Sequence, residues 1–352
     1  MAYTDIDKPS DYFETVIYSG NGSTQSISSL DFQPDWTWIK ARSGGTQSNN
    51  LYDSVRGATK YLRSDGTGAE GTQANGLTSF DSDGFSMGAD NGNNGSGYTY
   101  ASWNWKAGTS FTNDASSTGV GSIDSAGSAN TDAGFSIVSW TGDGNTSGTI
   151  KHGLSTKPSM IISKNRDSSE NWFCYHKSLG ATKYIRLNIV NAAGSATSIW
   201  NDTEPTTSVF TVGNDTAVNS NNVKYIAYCF AEKQGYSKFG SYIGNGNADS
   251  TFIYTGFSPA WVMIKRTTAS SYNWMIFDNK RNTFNVINNR LLANTSGAEI
   301  TGSSTHILDF VSNGFKIRSS NSAIGGGADP YIYMAFAEAP FVSSTGVPAT
   351  AR

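Results

Sequence analysis

The sequence predicts an all-β protein: three homologous β-sandwich-like domains in tandem, with a β-propeller of two four-stranded blades per repeat as the alternative. Three observations predict it. The first is a threefold repeat. Its units open with Tyr18-Ser19-Gly20-Asn21-Gly22, Trp140-Thr141-Gly142-Asp143-Gly144 and Tyr242-Ile243-Gly244-Asn245-Gly246. Each runs on to a proline followed six positions later by a lysine (Pro34 and Lys40, Pro158 and Lys164, Pro259 and Lys265), and closes on an aromatic strand at 100–105, 225–230 or 331–336. Starts at 18, 140 and 242 lie 122 and 102 residues apart. That exceeds the roughly 20–50 residues of a solenoid turn or propeller blade and is long enough for a unit with its own core. The second observation is composition: 37% hydrophobic, 15% charged, a formal charge of −3 and 12% aromatic residues. Disorder pairs low hydrophobicity with high charge and few aromatics; this balance reads instead as short strands joined by polar turns. The third is period two, as where Trp36, Trp38 and Lys40 alternate with Thr37 and Ile39, while no segment carries a convincing amphipathic helical period.

Taken in order, residues 1–12 form an extended arm, since Lys8-Pro9 disfavours helix. Residues 13–106 are β repeat 1. Val16-Ile17-Tyr18 is a strand ended by the turn Ser19-Gly20-Asn21-Gly22. Strands follow at 36–40, 51–55 and 60–62, then a hairpin at 80–87 turning on Asp83-Gly84, then 98–105. Residues 107–134 are small and polar and read as a linker. β repeat 2 covers 135–233, where Gly180-Ala181-Thr182-Lys183-Tyr184 reproduces Gly57-Ala58-Thr59-Lys60-Tyr61 letter for letter. β repeat 3 covers 236–340, and 341–352 is a polar C-terminal arm. Repeat-equivalent aromatics at strand centres are expected in cores: Trp36 or Trp38, Trp103 or Trp105, Tyr228, Phe230, Met334 and Phe336. The arms and the linker lack the apolar density to hold themselves and are expected to stay mobile in the isolated protein and to order against other subunits.

A near-neutral charge and a pI of about 5.6 argue against a nucleic-acid partner, which needs a basic face. No run approaches 18 apolar residues, so no membrane insertion by a helix is expected. The N-terminus is polar and lacks a signal-peptide pattern, which suggests synthesis in a cytoplasm. Cys174 and Cys229 read as two buried thiols, with a disulfide open only if their strands pair.

Several segments resemble a repeat family common in virion proteins of tailed phages, especially marine phages of cyanobacteria and other ocean bacteria. They are the stretches 18–27, 34–40, 53–62, 77–85 and 236–246, together with the opening Met1-Ala2-Tyr3-Thr4 and Asp7 to Phe13. The resemblance spans nearly the whole chain. It implies a structural virion component made in the host cytoplasm, most often a tail fibre, spike or other receptor-facing adhesin binding host-surface carbohydrate. The alternatives are a capsid decoration (cement) protein or capsid fibre, and a surface-polysaccharide depolymerase. It also implies other virion proteins as partners and a homo-oligomer, for which a trimer is one arrangement. A host-encoded secreted lectin fits poorly with the missing leader pattern. No heptad or collagen repeat marks a fibrous stalk.

Candidate binding residues come from one aligned segment. Tyr52-Asp53-Ser54-Val55-Arg56 matches Tyr175-His176-Lys177-Ser178-Leu179 and Phe277-Asp278-Asn279-Lys280-Arg281. Asp53 with Arg56, and Asp278 with Arg281, could grip a sugar hydroxyl or carboxylate, or could form structural pairs that fix a strand end. Lys40, Lys164 and Lys265 share one register and read as edge or solvent-facing lysines that cover Trp and discourage strand aggregation; a receptor contact is the other reading. Asp90-Asn91-Gly92-Asn93-Asn94-Gly95 has the composition of a calcium loop but lacks its spacing. His152, His176 and His306 show no zinc-site spacing, and no nucleophile elbow, phosphate loop or facing carboxylate pair stands out. No catalytic residue, metal or cofactor is therefore expected, and the chain reads as a non-enzyme.

Overall fold

A computed structural model describes residues 2–350. Repeat one contributes β1 (Phe13–Ser19), β2 (Gln25–Ile27), β3 (Trp36–Ala41), β4 (Asn50–Asp53), β5 (Lys60–Arg63), β6 (Gly71–Thr72), β7 (Leu77–Asp81), β8 (Gly84–Met87) and β9 (Thr99–Trp105). Its main sheet runs β1-β9-β3-β4-β5-β6 and its second sheet β2-β8-β7. Repeat two is preceded by β10 (Thr109–Asn113) and β11 (Ser125–Asn130). Then come β12 (Phe135–Thr141), β13 (Gly148–Lys151), β14 (Met160–Asn165), β15 (Phe173–His176), β16 (Ile185–Arg186), β17 (Val209–Val212) and β18 (Lys224–Phe230). Its main sheet is β10-β11-β12-β18-β14-β15-β16, facing a β13-β17 pair. Repeat three contributes β19 (Ser237–Ile243), β20 (Phe252–Tyr254), β21 (Phe257–Arg266), β22 (Met275–Asp278), β23 (Leu291–Leu292), β24 (Leu308–Val311), β25 (Gly314–Ile317) and β26 (Pro330–Pro340). Its sheets are β19-β26-β21-β22-β23 and β20-β25-β24. Helix is confined to single turns, as the absence of a helical period predicts.

Register is the same in every repeat. Trp36 and Trp38 pair with Trp105 and Trp103, Met160 and Ile162 with Phe230 and Tyr228, and Trp261 and Met263 with Phe336 and Met334. Side chains alternate across a strand, so these residues share one face of each main sheet. That face does not look at its own second sheet. All three such faces meet in one core that holds Trp36, Trp105, Phe135, Phe230, Trp261 and Phe336 together. The opposite faces build three separate sandwich cores, around Ile39 and Tyr100, Ile161 and Tyr225, and Ile264 and Tyr331. Strands covered on both sides carry apolar residues at most positions, as in β18 (KYIAYCF) and the Ala260–Ile264 run of β21. The three sandwiches are thus lobes of one body rather than beads on a string, and every aromatic or methionine expected inside is at most 1% exposed.

The opening motif of each repeat is a docking turn. A Cβ on Gly20, Gly142 or Gly244 would lie 2.2–2.3 Å from the carbonyl oxygen of Gly95, Ser220 or Gly326. The second glycine, at 22, 144 or 246, has φ between 69° and 75°, a region only glycine enters freely. The facing loop is pinned by one tyrosine per repeat. The hydroxyls of Tyr100, Tyr225 and Tyr331 donate to the carbonyls of Asn91, Thr216 and Ser322 at 2.7–2.9 Å. They accept from the amides of Gly95, Ser220 and Gly326 at 2.7–2.9 Å.

Four sequence expectations change. Segment 107–134 is no bare linker: β10 and β11 form a hairpin that extends the main sheet of repeat two. Backbone pairing, not apolar density, holds it. The N-terminal arm lies on repeat three, where Tyr3 Oη donates to Gly256 O and Thr4 Oγ1 to Gln234 O, both at 2.8 Å, and Ile6 enters the shared core. Ser344 of the C-terminal arm donates its amide to Asp7 at 2.6 Å. The three lysines are fully buried; their face is the shared core, so the solvent-facing reading is corrected. Cys174 and Cys229 are buried free thiols on opposite faces of the sheet.

Candidate functional site

Asp53 and Asp278 end β4 and β22, and a tight turn brings Arg56 and Arg281 back onto them. The Arg56 amide donates to Asp53 Oδ1 at 2.8 Å, its Nε to Oδ2, and its Nη2 to Leu51 O at 2.9 Å. Arg281 repeats the pattern on Asp278 Oδ1 (2.9 Å), Oδ2 (2.6 Å) and Ile276 O (3.0 Å). These side chains have no exposed surface. Burial opposes the Arg56 charge, but Asp53, Tyr228 and Glu70 more than offset it and raise the pKa above the usual arginine value.

Each pair is completed by a neighbouring repeat. Tyr228 Oη of repeat two donates to Asp53 Oδ2 at 2.8 Å, and Trp103 Nε1 of repeat one donates to Asp278 Oδ2 at 3.1 Å. A second carboxylate then bridges outward. Glu70 faces Arg56 at 3.5 Å and Arg166 of repeat two at 2.8 Å. Glu299 faces Arg281 at 2.9 Å and Arg42 of repeat one at 2.8 Å. The same backbone bond marks all three seams: the amides of Glu70, Glu299 and Ala193 donate to the carbonyls of Arg166, Arg42 and Thr267 at 2.8–3.0 Å. The seams therefore run cyclically, one onto two, two onto three, three onto one.

In the seam of two onto three the clamp itself is built from uncharged groups. Leu179 and Ala193 stand where the others have arginine and glutamate, and His176 replaces the aspartate. The residue facing it is Met334, which has no donor, and His176 Nε2 meets Tyr333 O at 3.2 Å instead. Burial lowers the His176 pKa to about 4, so the ring is neutral. Two of the three lysines reach across seams, while Lys164 Nζ donates within its own repeat to Asn165 O at 2.7 Å and Ser168 O at 3.4 Å. Lys40 Nζ donates to Gln47 O and, across to repeat three, to Ser296 O at 2.9 Å. Lys265 Nζ donates to Tyr272 O and, across to repeat two, to Val190 O at 2.9 Å. Burial lowers each to about 8, which leaves an ammonium at neutral pH for those carbonyls.

The four predicted binding residues are thus brought together in two places as inter-repeat clamps, closed to solvent. Sequence reasoning found the aspartate–arginine pairs and missed Glu70, Glu299, Arg42, Arg166, Tyr228 and Trp103. A signal existed: Arg42 and Arg166 each stand two positions after the repeat lysine. Asp90, from the calcium-like loop, accepts from Gln73 Nε2 and Asn93 Nδ2, both at 2.7 Å. No group of three or more potential metal ligands occurs among the described residues, and no helix among them is long and apolar enough to cross a membrane.

The outer faces of the second sheets differ. At matching positions repeat one has Ser26 and Ser86, joined at 2.7 Å, repeat two has Thr149 and Thr211, and repeat three has Phe252, 46% exposed, opposite Lys316. A surface depression of about 440 Å³ lies beside the β10–β11 hairpin and is lined by Asn113, Asp114, Asp124, Trp140, Arg166 and Lys224, among others.

A body of three lobes around one core, stitched by cyclic clamps, defines the chain as a single all-β domain. It belongs to the family described as domain of unknown function DUF7483, whose match covers residues 8–340 and so takes in all three repeats at once. Searches of the curated proteins and of the solved structures returned no significant match.

Proposed function

We propose that the chain is a non-enzymatic structural protein of a tailed-phage virion, acting as a tail fibre, spike or other receptor-facing part that binds host-surface carbohydrate. The observation that carries the structural role is where the charged residues went. The buried acid–base constellations join repeat to repeat and hold the lobes in fixed geometry, which is the use a load-bearing particle component makes of them. The motif resemblance supplies the virion setting. The polar outer faces, with aromatic side chains exposed on repeat three, suit sugar rings and hydroxyls. The same closure into one rounded body, with no stalk, favours a second reading as a capsid decoration protein. Quantitative mass spectrometry of purified particles separates the two. A small multiple of three or six copies supports the tail reading, hundreds support decoration, and absence from particles refutes both. Cleavage of host polysaccharide by the pure protein would replace both with a depolymerase.

A further inference from the structure

We propose that the open edge of β1 is a docking site for an extended strand of small, uncharged residues supplied by a partner protein. The inference does not depend on the virion reading. It rests on a comparison inside the molecule. Phe13–Tyr18, Phe135–Trp140 and Ser237–Tyr242 occupy the same place in their repeats, each pairing with the closing strand in one register. In repeat two the outer side of this strand is occupied by β11, antiparallel, with Ser128 opposite Ile137 and Ala126 opposite Ser139. The hairpin therefore shows what this edge accepts.

In repeat one no strand among the described residues pairs with it; Thr15 is buried, while Ile17 and Ser19 are exposed. Tyr12 O accepts from the Lys106 amide at 3.0 Å, and the Gly20 amide donates to Tyr98 O at 2.8 Å. Even-numbered residues of β1 thus turn their main-chain groups toward β9, and Thr15 and Ile17 turn theirs away. The side chains tell the same story. Under the hairpin Val138 is 0% and Trp140 4% exposed, whereas their counterparts Val16 and Tyr18 are only half-buried and Ile17 is 43% exposed. Glu14, the one charge on the strand, is occupied by Lys280 at 3.2 Å. From Thr15 to Ser19 the edge carries no charge, the usual defence against strand addition. Repeat three is partly closed, since its Phe239 amide meets the Glu232 carboxylate at 3.4 Å and Tyr242 is buried. The occupant must be small because the edge is approached closely: a Cβ on Gly127 would lie 2.0 Å from Ile137 O. Main-chain pairing would supply affinity and side-chain size would supply selectivity.

The test uses the full chain and, as the probe strand, a synthetic peptide of residues 123–132 carrying Asp124→Asn and Asp132→Asn so that it is uncharged. Amide hydrogen exchange is read at Ile17 and Ser19, the exposed residues whose main-chain groups turn outward. Both should exchange rapidly in the free protein and slow at least tenfold with millimolar peptide. The Ile17→Pro variant removes an outward N–H without touching the β9 ladder, and Ile17→Lys adds an edge charge; each should abolish the protection of Ser19. Unchanged exchange at both amides on peptide addition overturns the proposal, as does protection that survives in both variants. Protection that rises with protein concentration alone would assign the edge to a second copy and likewise overturn it.

Discussion

At the scale of single residues, the two charged seams show how buried ions are tolerated. A carboxylate and a guanidinium lose their water together, and each finds several fixed partners. Removing one partner strands the other, typically at a cost of about 3–5 kcal/mol, whereas replacing the whole set by apolar groups of similar size is often neutral. The uncharged clamp supplies the replacement set. Arg56→Leu alone should therefore destabilise by about 3–5 kcal/mol. Adding Asp53→His, Glu70→Ala, Tyr228→Met and Arg166→Thr, which transplants the chemistry of the uncharged clamp, should recover most of that loss. Chemical denaturation of the single and the quintuple variant checks this, and additive losses would refute it. The same uncharged clamp makes the chain sensitive to acid. Burial lowers His176 and His152 to about 4, while an unfolded chain protonates its imidazoles near 6.5. Between those values the unfolded state binds more protons, so stability is complete above pH 6.5 and falls as the pH drops toward 4. Melting temperatures measured across pH 7 to 4 should decline, and His176→Gln should flatten the slope. A flat wild-type profile would contradict the burial argument.

At the scale of elements, the repeat starts, the turn glycines and the hairpin at 80–87 were legible because each depends on local backbone preference. The fate of the lysines was not. Lys40 alternates with Ile39 and Ala41, and period two alone cannot say which face meets solvent when both are covered. The clue lay in both faces being apolar at once, Trp36 and Trp38 on one and Ile39 and Ala41 on the other. The candidate pairs were legible as pairs, but the donors that complete them from other repeats, Tyr228 and Trp103, lie 175 positions away, where no local spacing points. Segment 107–134 escaped for the opposite reason: its strands are held by ladder bonds and close packing of small residues, which leave no hydrophobic pattern. That attachment is testable. Gly127→Val has no room against Ile137 O and should detach the hairpin, at about 1–3 kcal/mol for an overpacked site. Amide exchange at Ile137 and Ser139 should accelerate, and persistent protection there would show the strand to be held by other means.

At the scale of the whole molecule, the shared core decides how the chain unfolds. The sequence suggested three domains in tandem, each able to stand alone; the folded chain has them share the face that carries Trp36, Trp105, Phe230, Trp261 and Phe336. Trp105 touches rings from all three repeats, as do Phe230 and Phe336. Calorimetry of the full chain should accordingly give a single transition whose calorimetric and van't Hoff enthalpies agree. Trp105→Ala should lower that one transition by about 3–5 kcal/mol rather than split it. An isolated 13–106 fragment, with four tryptophans uncovered, should fail to melt cooperatively; three resolved transitions in the full chain would sink this view.

The uncharged clamp has a further consequence, in symmetry. Two clamps are ionic and one is not, one lobe carries an extra hairpin, and the outward faces run serine, threonine and aromatic in turn. A rotation by a third of a turn superimposes the folds but not the chemistry. A partner that is itself exactly threefold therefore offers the same contacts at three orientations per revolution, whereas a partner without that symmetry tells the three apart and so fixes the molecule's azimuth as well as its axis. Gene triplication yields a ring of like parts; the divergence of one seam and three faces is what lets that ring be set at a particular angle.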